Sequence, residues 1–219
     1  MNSLFAAIVA LTNSFGTVSV DTLGARVLSY VPNGGRETLA MLPSGYGGIP
    51  LCWPWFQFNG PKGEKGDKHG IVRDREFEIV ELCRRDDFGR IVMRLESDTA
   101  TRLKWPYDFS LVLKVELDCR GLALTLTGIN TGDKPFLVTE AFHPYFLRSE
   151  LENLNDSGSA FFRTWNPDQN SHLRTSGLGS EDWRLFICVE NGVFNRDQAY
   201  MLSPGQSNML SRIIALKRK

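Results

Sequence analysis

Four consecutive runs in the middle of the chain alternate apolar and polar residues with a period of two. They are Phe77 to Leu82, Ile91 to Leu95, Phe109 to Leu117 and Leu122 to Ile129. Turn-like pieces separate them: Asp86-Asp87-Phe88-Gly89, Trp105-Pro106-Tyr107-Asp108 and Asp118-Cys119-Arg120-Gly121. Successive side chains on a strand point to opposite faces, so each run turns one apolar face to a core. Recurrence at 3.6 residues is almost absent. Strands at this spacing predict an all-β protein, a large antiparallel sandwich.

The flanks read the same way. Phe15 to Val20 and Arg26 to Val31 form two strands, closed by the turn Pro32-Asn33-Gly34-Gly35. Phe161 to Trp165, Trp183 to Glu190 and Met209 to Leu216 supply later strands, with Ser203-Pro204-Gly205 as a turn. Leu4 to Leu11 is apolar but too short to span a bilayer and has no basic residues before it, so a first strand or a short docked helix is expected there, with a signal peptide as the alternative. No repeat, low-complexity stretch or boundary interrupts the pattern. With 219 residues and 42% apolar content, one domain over 1–219 with one sizeable core is expected.

Charge narrows the partners. Lys plus Arg and Asp plus Glu are 25 each, so bulk electrostatics favour neither nucleic acid nor a membrane surface. Cys52, Cys83, Cys119 and Cys188 are widely spaced without a CxxC. Reduced cysteines in a cytoplasmic protein are expected, with two disulfides as the alternative.

Three stretches carry polar chemistry among rigid or aromatic neighbours. In Thr139-Glu140-Ala141-Phe142-His143-Pro144-Tyr145-Phe146, Pro144 holds His143 extended between aromatic residues. Such an imidazole suits proton transfer near neutral pH, or is a buried histidine satisfied by the backbone. Tyr46-Gly47-Gly48-Ile49-Pro50-Leu51-Cys52-Trp53-Pro54-Trp55-Phe56 reads as a loop, because prolines exclude a helix and a central strand. Its aromatic faces either grip a sugar or plug the core. In His69-Gly70-Ile71-Val72-Arg73 a strand places His69 and Arg73 on one face, where they bind an oxygen-rich or anionic ligand or form a surface pair. Glu190 ends a mostly apolar strand, either solvated or catalytic.

Taken in order, these pieces resemble the aldose 1-epimerase (mutarotase) superfamily, and within it the hexose-6-phosphate mutarotase branch. The resemblance rests on Gly47-Gly48-Ile49-Pro50 with Trp53-Pro54-Trp55-Phe56, on His69-Gly70-Ile71-Val72-Arg73, and on Asn130-Thr131-Gly132-Asp133-Lys134-Pro135-Phe136 running into Ala141 to Phe146. Trp165-Asn166-Pro167 and Cys188-Val189-Glu190 complete it. It implies a galactose mutarotase-like supersandwich that opens and closes a sugar ring. It also implies His143 as general acid, Glu190 as general base, His69 as a sugar contact and Arg73 as a substrate or phosphate contact. Trp53, Trp55 or Phe56 would border the pocket. Neither cofactor nor metal is required, and a monomer acting on a small sugar or sugar phosphate is expected.

Two departures bear on the substrate. Where the family usually carries an arginine before Gly-Gly-Ile-Pro, this chain has Tyr46, leaving Lys62, Lys65, Lys68 or Arg73 to hold a phosphate. The interval from Phe146 to Trp165 is shortened, and Asp156 is the acid there that would meet sugar hydroxyls. A hexose 6-phosphate, a free hexose such as galactose, or a non-catalytic carbohydrate-binding role are the functions that follow.

Overall fold

The strands lie where alternation puts them. The structure, a computed structural model, describes residues 7–58, 66–166 and 182–217. Strands β1 (Ile8–Asn13), β2 (Gly16–Asp21), β3 (Arg26–Pro32) and the two-residue β4 (Leu51–Cys52) come first. Then come β5 (Glu78–Arg85), β6 (Phe88–Glu96), β7 (Phe109–Asp118) and β8 (Gly121–Asn130). β9 (Phe136–Val138), β10 (Glu140–Phe142), β11 (Tyr145–Leu147), β12 (Leu154–Gly158) and β13 (Phe161–Trp165) follow. β14 (Phe186–Val193), β15 (Tyr200–Leu202) and β16 (Ser207–Leu216) complete the chain order.

The four alternating runs become β5 to β8, adjacent strands of a six-stranded sheet of order β12-β16-β8-β7-β6-β5. All its pairs are antiparallel. Ile91 and Met93 of β6 and Leu111, Leu113 and Val115 of β7 point inward and are fully buried. Val18 and Val20 of the β1-β2-β3 sheet and Phe142 and Phe146 of a five-stranded sheet meet them in one continuous core. Truncating one such residue, Leu113→Ala, would cost about 2–5 kcal/mol. Sheets facing one another across shared apolar side chains make this a β-sandwich, as the alternation demands.

Two local features differ from the sequence reading. A six-residue helix, α1 (Thr99–Lys104), joins β6 to β7. It exists because of a reciprocal cap: the Thr101 backbone N–H donates to the Asp98 carboxylate, and the Asp98 N–H donates to the Thr101 hydroxyl. The His69 to Arg73 segment is not a strand. His69 has φ +69° and Gly70 has φ +89°, and a Cβ on Gly70 would lie 1.9 Å from the Trp53 carbonyl oxygen. Backbone contact that close forces left-handed turns there instead of an extended run.

Candidate active site

The site is built by register. In the five-stranded sheet, β14 is flanked on one side by β10 and β11 and on the other by β13. Phe142 pairs with Asn191 and Tyr145 with Cys188, so the register runs unchanged across the His143-Pro144 break. Pro144 lacks an N–H and interrupts the ladder. His143 therefore falls opposite Glu190, and its own N–H donates to the Pro50 carbonyl across the next gap. On the far side, Arg163 pairs directly with Glu190. One row across the sheet thus holds an imidazole, a carboxylate and a guanidinium on one face.

His143 Nε2 lies 2.9 Å from Glu190 Oε1, and both side chains are 5% exposed or less. His143 Nδ1 and Glu190 Oε2 are buried without hydrogen-bond partners among the described residues. The site is walled by rings. Tyr145 stacks on His143 at 5.2 Å, Phe56 at 6.4 Å, and the His69 ring meets it edge-on at 5.1 Å. Burial pushes the His143 pKa down, opposed by its contact with Glu190. Burial and the neighbouring Arg73 push His69 down as well. The Gln57 N–H donates to His69 Nδ1 at 3.3 Å, so a neutral His69 carries its proton on Nε2.

Arg73 is anchored from behind. Its Nε donates to the Leu51 carbonyl at 2.8 Å and its Nη2 to Cys52 Sγ at 3.1 Å. Arg73 also lines a cavity of about 300 Å³, together with Arg26, Tyr46, Pro50 and Tyr145; His143, Glu190 and Arg163 are not in its lining, and Tyr145, stacked on His143, is the link between them. Neither Arg26 nor Arg73 has a carboxylate partner among the described residues. No cluster of three His, Cys, Asp or Glu side chains fit for a metal ion occurs among the described residues.

A sequence profile of the aldose 1-epimerase family matches residues 7–164. The chain belongs to the aldose 1-epimerase family. A Salmonella typhimurium protein provisionally named a glucose-6-phosphate 1-epimerase is 33% identical over 146 residues, which are 62% of this chain and 46% of that protein. An Escherichia coli protein with the same provisional name is 28% identical over 144 residues, 62% of this chain and 46% of its own. The match therefore spans about half the length of these curated relatives. Among solved structures, a Salmonella typhimurium protein provisionally described as a mutarotase superposes with a TM-score of 0.77 at 18% identity, covering 98% of this chain and 91% of that one. Galactose 1-epimerase from Lactobacillus acidophilus gives 0.69 at 13% identity, with 99% and 96% covered. At these identities the structures show that the family fold is shared.

Within this family member, the predicted site residues fall into three groups. His143, Glu190, His69 and Arg73 come together. The aromatic that reaches the pair is Phe56, whereas Trp53 and Trp55 lie in the core. Trp53 is 0% exposed and packs against Trp105 and Phe109, and Trp55 Nε1 donates to the Asp67 carbonyl at 2.7 Å. Asp156 is committed elsewhere, ion-paired with the fully buried Arg212 of β16, which lies between the Phe146 and Phe162 rings. Lys68 is described and sits over Phe58, while Lys62 and Lys65 lie outside the described residues. Sequence reasoning missed Arg163 altogether. Its only signal is the register of β13 on β14, which no local motif encodes.

Proposed function

We propose that the protein interconverts the α and β anomers of a hexose 6-phosphate by acid–base opening and closing of the ring. The observation that carries this reading is the buried contact of 2.9 Å between His143 and Glu190. Glu190 Oε2, the oxygen His143 leaves free, takes the proton of the anomeric hydroxyl. The electron pair left on O1 becomes the carbonyl at C1 as the C1–O5 bond breaks, and the His143 imidazolium, its Nε2–H turned from Glu190 Oε1 to the ring oxygen, gives that proton to O5. Rotation about C1–C2 presents the other face of the aldehyde. Closure reverses both transfers and returns the two groups to their starting charges. A group of each kind contributes about 10²–10⁴-fold. Burial, by lowering the His143 pKa, makes its imidazolium a stronger acid toward a weakly basic ring oxygen.

The phosphate is supported by charge. Arg26 and Arg73 line the cavity without a carboxylate partner among the described residues, and Tyr145, stacked on His143, joins that cavity to the pair. A guanidinium suits a phosphate by its planar fork of donors. Tyr46, uncharged where the family carries arginine, favours a free hexose such as galactose as the second reading. No described helix is long and apolar enough to cross a membrane, and the four cysteines are unpaired. We place the protein in the cytoplasm as a monomer. Exchange between anomers, followed by magnetisation transfer on glucose 6-phosphate, glucose and galactose, tests the reading. Exchange fastest on the phosphate is expected. No exchange above the spontaneous rate on any of the three overturns it.

A further inference from the structure

We propose that Arg163 is a positioning residue that keeps Glu190 available as a base, acting through the carboxylate oxygen that His143 leaves free. This rests on the epimerase reading and assigns it a residue the family motifs do not contain. Arg163 stands opposite Glu190 in the β13–β14 pair, with Nε 3.9 Å from Glu190 Oε2. That distance is too long for a hydrogen bond and short enough for strong electrostatic attraction near a buried oxygen. The guanidinium therefore offsets the charge without occupying the lone pair that must receive the substrate proton. Its plane lies 5.8 Å over the Phe56 ring, which in turn stacks toward His143. Arg163 itself is half exposed, so it closes the rim of the site from outside.

Among the described residues, the other cationic side chains near the pair lie beyond 4 Å of Glu190. Arg73 is bound by Leu51 and Cys52, and Arg212 is ion-paired with Asp156. Lys68 sits over Phe58, and burial keeps His69 neutral. Cys52 and Cys188 are buried thiols held protonated. Among the described residues, the one cation other than His143 within 4 Å of Glu190 is Arg163. A buried carboxylate without a counter-charge takes up a proton instead, and a protonated Glu190 accepts none.

Arg163→Gln and Arg163→Lys, assayed by anomer exchange on glucose 6-phosphate, test this. Arg163→Gln is expected to lower kcat about tenfold while KM moves by less than about twofold, and Arg163→Lys to restore most of the loss. In ¹⁵N spectra the His143 imidazole is expected to titrate at lower pH in Arg163→Gln than in wild type, because a Glu190 that has taken up a proton no longer stabilises the imidazolium. A rise in KM with unchanged kcat would make Arg163 a substrate contact and overturn the proposal. So would kinetics and a His143 titration indistinguishable from wild type, or a lysine variant as impaired as the glutamine one. A wild type inactive on every sugar sinks the epimerase reading separately. The His143 titration needs no turnover and still decides whether Arg163 compensates Glu190.

Discussion

Two glutamates are buried in the same sheet, on neighbouring strands, and they differ in what surrounds them. Glu190 on β14 has His143 at 2.9 Å and Arg163 at 3.9 Å. Glu140 on β10 accepts one hydrogen bond, from the Asn208 side-chain amide, and its Oε2 has no partner among the described residues. Burial pushes the Glu140 carboxyl up to about 8. Both are at most 2% exposed, so burial cannot be what separates them. The difference is the row of charge partners that register delivers to Glu190 and withholds from Glu140. A buried acid becomes a candidate base when its proton has a partner to move with.

The comparison breaks most directly at Glu190→Gln. The amide keeps an acceptor for His143 Nε2 and the same volume, so the fold should survive. Anomer exchange is expected to fall about 10²–10⁴-fold, the contribution of one general base. The matched change Glu140→Gln should leave exchange within about twofold of wild type. If the two variants lost activity equally, the distinction between the glutamates would be wrong.

The Asp156–Arg212 pair sharpens the point from a third direction. Arg212 is 0% exposed and Asp156 is its one carboxylate partner among the described residues. Asp156→Ala leaves a guanidinium buried without a counter-charge, which should cost about 3–5 kcal/mol in urea unfolding. A loss below about 1 kcal/mol, as for an exposed pair, would show that Asp156 is free to meet a sugar instead.

These contrasts track what the sequence could reveal. Phe109 to Leu117 was legible as a strand because one of its faces meets a core and the other water. His143 and Glu190 were legible because short motifs surround them, and Pro144 stiffens one. Partners set by register or by sheet packing were not: Arg163 to Glu190 and Asp156 to Arg212 within a sheet, and Glu140 to Asn208 between sheets, join residues 27 to 68 positions apart with no local signal. Trp53 and Trp55 misled because a proline-bound aromatic reads alike at a pocket wall and in a core. The strand expected over His69 to Arg73 failed on one glycine, since Gly70 must sit against the Trp53 carbonyl.

Glu140→Gln also changes stability, with a sign opposite to that of most carboxylates. The folded pKa of Glu140 is raised from 4.5 to about 8, so the fold holds a proton that the unfolded chain releases. Its contribution is fully present below about pH 4.5 and is lost as pH rises through 8. The glutamine variant has no such loss. It should gain on wild type as pH climbs from 5 to 8, by an amount on the order of a few kcal/mol at the upper end. Urea melts of both proteins across that range measure it, and parallel curves would mean that Glu140 is ionised in the fold.

The smallest effect expected at neutral pH belongs to His69, and it runs the other way along the pH scale. His69 and His143 both have folded pKa values below the ordinary 6.5, so the unfolded chain takes up protons that the fold refuses. Stability is then complete above 6.5 and falls as pH drops below it, by about 1.4 kcal/mol per pH unit for His69, whose pKa is the more strongly lowered. His69→Asn removes one of the two. Asparagine tolerates the left-handed backbone at this position better than most residues, so the turn is retained. Between pH 6 and 5 the carboxylates held low by hydrogen bonds, such as Asp98 and Asp118, stay ionised and do not mask the change. A slope of stability against pH that is shallower in His69→Asn over that interval marks His69 as a neutral, buried ring facing His143. An unchanged slope would mean that water reaches His69, and with it the wall of rings around the pair.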